Sequence, residues 1–328
     1  MFDPIKASKE IKDSYIDYIT TTFDMADTDY EREFRKELQT DGMVASGPFL
    51  DIGGSYETGH TLRELIQAQK ASVLFESLEP VAEKERELKL DRPLYQHQET
   101  AMLKAGKGEN LVITTGTGSG KTESFLLPII NHLLREQEAG TLSAGVRAII
   151  IYPMNALAND QMKRMRALFK NYPQICYGVY NGNTEHTQSK ALAEYHRTYH
   201  DETGEPTDPA PNEIISREVM QERPPHILIT NYSMLEYMML RPKDDAVFSG
   251  AKLKFIVLDE AHIYKGATGM ETSLLMRRLR ARISEPDSVQ YILTSATLGG
   301  PDADGDILSF AEKLCGVAFQ RSGIIRST

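Results

Sequence analysis

The 328 residues are 41% hydrophobic and 26% charged, the composition of a soluble globular chain long enough for a sizeable core and two structural units. A net charge of −10 excludes a protein that coats nucleic acid with a broad basic surface, although it leaves room for a narrow contact track. Cys176 and Cys315 are too few for a disulfide framework or a four-ligand zinc site, which fits a reducing, cytoplasmic setting; Met1-Phe2-Asp3-Pro4 opens no signal peptide, and no apolar run is long enough to span a bilayer.

Residues 1–90 read as a helical accessory region and a candidate surface for protein partners. They carry 11 Lys and Arg against 19 Asp and Glu, so most of the excess acid lies there. Ile11, Tyr15, Ile19 and Phe23 recur every four residues, predicting a helix with an apolar face. Ser46-Gly47-Pro48 and Gly53-Gly54-Ser55 mark turns, and Thr61 to Ile66 opens a short helix. The charge run Glu83-Lys84-Glu85-Arg86-Glu87 reads as a solvated face or linker. The chain shows no internal repeat.

From Leu94 the pattern changes to apolar runs separated by helices. Strands are predicted at 111–114, 147–152, 175–180, 227–230, 254–258 and 289–294, with helices such as 123–134, 156–170 and 271–283 between them. This alternation predicts parallel βαβ units, hence one α/β, doubly wound parallel sheet covered on both faces over residues 91–300. Functional groups in such a sheet gather at the carboxyl ends of the strands. Between the third and fourth strands, residues 183–225 form a polar connection longer than is usual, with residues 214–222 helical. Residues 301–328 read as one helix and a frayed end.

The first strand runs into Thr114-Thr115-Gly116-Thr117-Gly118-Ser119-Gly120-Lys121-Thr122, followed by Glu123 and a helix. Strand, glycine-rich turn and helix are the context of a phosphate-binding loop. The glycines let successive N–H groups converge on one point, and the helix start adds positive potential there. Lys121 is placed to hold the β and γ phosphates of ATP, and the Thr122 hydroxyl a Mg²⁺ ion. Thr115 stands where the strict pattern has glycine, and a plain Gly/Ser surface turn is the alternative. After the fifth strand, Asp259 and Glu260 supply two carboxylates: Asp259 to hold the hydrated Mg²⁺, and Glu260 to deprotonate the attacking water. An acidic helix start is the plainer alternative for that pair.

With these residues in order, the chain resembles the DEAH-box branch of the superfamily 2 helicases. The likeness rests on Gly118-Ser119-Gly120-Lys121-Thr122, Asp259-Glu260-Ala261-His262 and Ser295-Ala296-Thr297. It implies a RecA-like first motor lobe with an N-terminal helical appendage, acting in an ATP-dependent DNA helicase or translocase. A double-strand translocase without strand separation and an ATP-gated interaction module are the alternatives. By the same resemblance Gln98, with Gln96 as its competitor, reads adenine. His262 and the segment Ser295, Ala296 and Thr297 couple nucleotide state to the nucleic-acid track. Pro153, Asn155, Asn159 and Gln161, with Thr230, Asn231 and Tyr232, contact a strand, DNA in preference to RNA, through its phosphates. For Arg277, Arg278, Arg280 and Arg282 a solvated helix face stands beside a nucleic-acid contact. The wording of Tyr152 to Gln161 and Asn231 to Glu236 is similar to large bacterial helicases of the mitomycin-repair type, a group found in DNA repair and anti-phage defence. The resemblance also implies a second RecA-like lobe as partner, with arginines that complete the ATP site; alone, the chain is expected to bind and hydrolyse nucleotide weakly.

Overall fold

The computed structural model describes residues 3–47, 56–79, 88–116, 118–200, 204–298 and 301–327. Pro48, the Gly53-Gly54-Ser55 turn, the Glu83 to Glu87 charge run and Thr117 lie outside the described residues. Two compact units divide the chain, Met1–Ser55 and Tyr56–Thr328.

The first unit is a pair of helices, α1 (Pro4–Thr22) and α2 (Thr28–Gln39). Each starts at an aspartate cap: the Asp3 carboxylate accepts from the N–H groups of Ile5 and Lys6, and the Asp27 carboxylate from those of Asp29 and Tyr30. The predicted apolar stripe does not form the buried face. Ile11, Tyr15 and Phe23 are exposed, and the helix buries Ile16 and Thr20 instead, one position around the turn. Arg35 reaches from α2 to the Asp17 carboxylate beside that face.

The second unit begins well before residue 90. Strand β1 (Thr58–Thr61) is followed by α3 (Leu62–Gln67), which starts with a reciprocal Thr61–Glu64 capping box. Leu62, Leu65, Phe75 and Leu78 enter the same apolar cluster as the sheet, so the accessory region expected over 1–90 is shared between the two units. Strand β2 (Pro93–Tyr95) pairs antiparallel with β1 and leads into α4 (Gln96–Ala105).

The elements that follow are β3 (Leu111–Thr114), α5 (Lys121–Glu138), β4 (Ala148–Tyr152), α6 (Asn155–Phe169), β5 (Tyr177–Tyr180), α7 (Gln188–Thr198), β6 (Glu213–Ile214), α8 (Arg217–Glu222), β7 (Ile227–Asn231), α9 (Tyr232–Leu240), α10 (Asp245–Phe248), β8 (Phe255–Leu258), α11 (Gly266–Arg282), β9 (Gln290–Ser295), α12 (Asp304–Cys315) and β10 (Ile324–Arg326). The eight strands from β3 onward form one parallel sheet in the order β10-β3-β9-β8-β4-β7-β5-β6. Side chains alternate between its faces. Leu111, Ile113, Ile150 and Val257 pack with α4, α5 and α6, and Val112, Ile149, Ile151 and Ile256 pack with α9, α11 and α12. This is the expected RecA-like, doubly wound α/β sheet with a helical appendage ahead of it. The polar connection over 183–225 holds α7, β6 and α8 rather than a loop with one helix.

The end of the chain corrects the frayed-end expectation. After α12, residues 324–326 join the sheet beside β3. The Asn110 side chain donates to the Ala318 carbonyl at 2.9 Å, and Lys104 donates to the Ser322 carbonyl. Gly323 is required there, since a Cβ at that position would lie 2.3 Å from the Asn110 carbonyl oxygen.

Candidate active site

Topology brings the predicted groups to one rim. β9 lies between β3, which carries the phosphate loop, and β8, which carries the acid pair. The ends of β3, β9 and β8 therefore present the loop, Thr294-Ser295 and Asp259-Glu260 side by side.

In the loop, Gly118 (φ +77°) and Gly120 (φ +73°) take the left-handed backbone that bends it back on itself. Thr115 replaces the expected glycine for a visible reason: the buried Ser119 hydroxyl lies 2.7 Å from the Thr115 hydroxyl and 2.8 Å from the Gly116 carbonyl, bracing the loop from inside. No side chain caps the start of α5, so its first N–H groups point into the loop without a side-chain partner. That is the arrangement an anion completes.

The base of the loop is held from α4. The Gln98 amide donates to the Gly120 carbonyl at 3.1 Å and accepts from the Tyr95 N–H at 2.9 Å, and the side chain is buried. Gln98 thus ties the loop to the start of α4 through the two ends of its amide, while Gln96 is exposed. His97, which sequence reasoning passed over, donates from Nε2 to the Ser119 carbonyl at 2.8 Å. Burial depresses its pKa and keeps the ring neutral. Tyr56 and Tyr95 pack on His97 at ring distances of 5.7 and 5.6 Å. Glu123 pairs with Arg164 of α6 at 3.4 Å, tying the phosphate helix to the next one.

The acid pair meets the loop directly. Lys121 Nζ lies 3.2 Å from Glu260 Oε1, and His262 Nδ1 lies 3.3 Å from Glu260 Oε2 and 3.1 Å from the Ser295 hydroxyl. Glu260 holds a left-handed backbone (φ +48°), unusual for a side-chain-bearing residue and a mark of imposed geometry. Its N–H donates to the Thr294 hydroxyl at 3.3 Å, and that hydroxyl in turn donates to Asp259 Oδ1. Thr294 is a second residue that sequence reasoning missed; its signal was its place one residue before Ser295, at the end of a predicted strand. The Ser295 hydroxyl also accepts from the Thr297 N–H at 3.1 Å, and Ala296 lies between them.

Burial raises the Asp259 pKa, opposed chiefly by the Thr294 hydrogen bond. Asp259 makes no ion pair of its own among the described residues. The hydroxyls of Tyr152 and Tyr264 are buried without hydrogen-bond partners among the described residues, and both tyrosine pKa values are pushed up by burial and then by the Asp259 charge. A buried carboxylate beside such hydroxyls, on the rim of strand ends that also carries the phosphate loop and the first turn of α5 with Thr122, suits a hydrated Mg²⁺.

The expected strand-contacting residues divide. Pro153, Asn155, Asn159 and Gln161 lie at or near the start of α6, beyond the end of β4. The Asn155 side chain accepts from the Asn231 amide at 2.8 Å, joining the ends of β4 and β7, and Asn231 also caps α9 through the Met234 N–H. Tyr232 packs edge-on against Tyr264. Thr230 turns inward: it is buried, and its hydroxyl donates to the Tyr180 carbonyl at 2.7 Å, tying β7 to β5. The four arginines of α11 are all engaged within the protein. Arg277 donates to the Lys313 carbonyl, Arg278 pairs with Glu236, Arg280 with Asp287 and Arg282 with Asp245, as a solvated, ion-paired face requires.

Comparisons with known proteins identify the family. Over 94% of its length the chain is 34% identical to the Druantia protein DruE of Escherichia coli (strain UMEA 4076-1), covering 21% of that protein. Over 63% of its length it is 29% identical to the ATP-dependent helicase HRQ1 of Saccharomyces cerevisiae, covering 16% of it. The chain therefore spans about a fifth of the length of these curated relatives. Its fold superposes on the solved DUF1998 helicase MrfA bound to DNA with a TM-score of 0.56 and 23% identity, over 83% of this chain and 31% of that one. Residues 95–202 and 200–304 match the DEAD/DEAH box helicase family, and the chain belongs to that family.

Proposed function

We propose that this chain is the first motor lobe of an ATP-dependent DNA helicase or translocase, with residues 1–55 as an appendage ahead of it. The single observation that carries the reading is the meeting of Lys121, Glu260 and the Thr294–Asp259 pair on one rim, beside a helix start that awaits an anion. The family supports ATP-driven movement on nucleic acid. DNA rather than RNA is taken from the resemblance of the Tyr152 to Gln161 and Asn231 to Glu236 segments to repair and defence helicases, and the solved helicase MrfA of similar fold is itself bound to DNA.

Without nucleotide, Lys121 and Glu260 neutralise each other across the rim. A triphosphate in the loop offers Lys121 a larger negative charge, and the ammonium turns to the β and γ phosphates. Glu260 is then released as a carboxylate, held by the Thr294 hydroxyl at its own N–H, and serves as base for the attacking water. Asp259 and Thr122 would hold Mg²⁺, which supplies charge neutralisation of the phosphates. His262 senses whether Glu260 is engaged and passes the change to Ser295. Arginines from a second lobe complete the site in the longer protein, so this chain alone turns over slowly.

ATP hydrolysis measured with and without single-stranded DNA, single-stranded RNA and duplex DNA tests the reading. Stimulation by a DNA strand is expected, and Glu260→Gln should retain ATP binding while losing turnover by at least about a hundredfold. Hydrolysis indifferent to every nucleic acid would point to an interaction module, and stimulation by duplex alone to a translocase that leaves strands paired.

A further inference from the structure

The long connection between β5 and β7 and the facing side of α6 line an open cavity of about 340 Å³ that none of the motifs accounts for. Its floor is flat and electrically closed. Arg166 of α6 donates from Nε and Nη2 to the two oxygens of Glu213 at 2.8 and 2.6 Å, and the Glu213 side chain is only 1% exposed. The same guanidinium lies 4.3 Å from the ring centre of Tyr199 and 5.3 Å from that of Tyr195. The Tyr195 hydroxyl adds a 3.3 Å bond to Glu213. Buried ion pairs contribute little net stability, so a pair packed against two adjoining tyrosine rings, 4.5 Å apart, at the base of an open cavity is better explained as a shaped surface.

The rim differs from the floor. Asn159 and Asn183 present exposed amides, and Glu185 a half-buried carboxylate, with no side-chain partner among the described residues. The one arginine lining the cavity is already neutralised by Glu213, and the second lining carboxylate, Glu194, is paired with Arg197, so the carboxylate left without an ion pair among the described residues is that of Glu185. Phosphate is repelled by such a rim. Groups that donate N–H bonds are attracted, and two amides beside a carboxylate are the means by which proteins read base edges. Planar groups below and hydrogen-bonding groups above match a nucleobase, and the volume lies at the small end of ligand cavities, enough for a single one.

Position supplies the remaining reason. Asn159 belongs both to this rim and to the start of α6, where Asn155 is bonded to Asn231 at the end of β7. The cavity therefore opens beside the strand track of the proposed motor.

We propose that the cavity receives one unstacked base from the bound strand, with Glu185, Asn159 and Asn183 on its hydrogen-bonding edge and the Arg166–Tyr199 layer against its face. The proposal rests on the motor reading above. A base with adjacent N–H donors, guanine foremost, suits Glu185 best.

Short single strands carrying a fluorescent guanine analogue that keeps the N1–H and 2-amino donors, placed at successive positions, test it, with strand binding followed separately by anisotropy on the purified protein. Emission at one register is expected to depart severalfold from its neighbours. Ala191→Leu, which narrows the cavity from α7, should flatten that profile, and Glu185→Gln and Asn183→Ala on the exposed rim should weaken it even if the first variant folds poorly. Binding with a flat profile in the unsubstituted protein, or a profile unchanged by all three substitutions, overturns the cavity assignment alone. Failure to bind any strand overturns the motor reading and the cavity with it.

Discussion

Replacing Thr294 by valine tests the rim at a residue that touches both acids. The side chain is fully buried, and its hydroxyl donates to the Asp259 carboxylate while accepting from the Glu260 N–H at 3.3 Å. Valine has nearly the same shape, so the substitution removes hydrogen bonds with little change in volume. A hydrogen bond to a charged group is worth about 1.5–3 kcal/mol, which corresponds to roughly a 10- to 150-fold loss in rate if it is expressed in the transition state. Two signatures should separate the bonds. Loss of the Glu260 contact frees a left-handed backbone that costs about 1–3 kcal/mol to hold, so kcat falls as the base relaxes away. Loss of the Asp259 contact removes the main influence opposing its burial, so its pKa, already raised, rises further. The carboxylate is needed ionised, so activity present above that pKa is lost below it, and the acid limb of the pH–rate profile should move to higher pH. Steady-state ATP hydrolysis across pH and Mg²⁺ concentration measures both effects, with thermal unfolding as the control for folding. Thr294→Ser should restore most of the activity. A valine variant with unchanged kcat/KM and an unmoved acid limb would refute the assignment of Thr294 and weaken that of Asp259.

Lys121→Ala should weaken nucleotide binding itself by tenfold or more, read by equilibrium titration with a fluorescent ATP analogue, because the ammonium at the end of the loop already faces the rim, 3.2 Å from Glu260. Arg164→Gln removes the partner of Glu123 that ties α5 to α6, and should reduce stimulation of hydrolysis by a DNA strand severalfold with smaller effect on unstimulated turnover. Acidification should destabilise the fold through His226, whose Nδ1 accepts from the Cys176 N–H while Nε2 donates to the Ser143 carbonyl. Burial, then the Arg147 charge, depresses its pKa below 6.5; stability is full above that value and falls as pH drops toward the folded pKa, since the unfolded chain takes up the proton first. Thermal unfolding between pH 7.5 and pH 5.5 reads this, and His226→Asn should flatten the slope.

The site was legible where chemistry constrains residue type, and illegible where only geometry does. Lys121, Thr122, Asp259 and Glu260 could be named because a triphosphate requires a cation, a hydroxyl and acids at strand ends, and the sheet places the ends of β3 and β8 on one rim. Thr115 broke the pattern in sequence, yet its hydroxyl is what Ser119 bonds to, a pairing that no spacing rule exposes. His97 and Thr294 act through backbone and second-layer contacts, so their residue types carried no signal. The helix of residues 4–22 shows the opposite failure: period-four spacing was present, but burial chose Ile16 and Thr20, a choice set by where α2 lies and not by α1 alone. The three residues of β10 are too few to show a period, and only the space left by Gly323 admits them.

The strand order explains why so much of the second layer converges on one threonine and one serine. In this sheet the loop strand and the acid strand are not neighbours; β9 separates them, and consecutive strands are set about 4.8 Å apart. Lys121 is long enough to cross that gap and does so at rest, at 3.2 Å from Glu260. Any change in the position of Lys121 or Glu260 must therefore pass over the end of β9, where Thr294 contacts both acids and Ser295 contacts His262. A sheet with β3 beside β8 would bring Lys121, Thr122, Asp259 and Glu260 together with nothing between them. Nucleotide binding could then be tight and hydrolysis fast, but no element would be displaced in the process. With β9 interposed, His262 bridges Glu260 and Ser295, and the Ser295 hydroxyl accepts from the Thr297 N–H, so the proposed exchange of the Lys121–Glu260 pair for a phosphate contact would reach that segment through His262. The coupling proposed for that segment is thus a consequence of strand order, and it is available to this chain because its acid pair lies one strand further from the loop than contact alone demands.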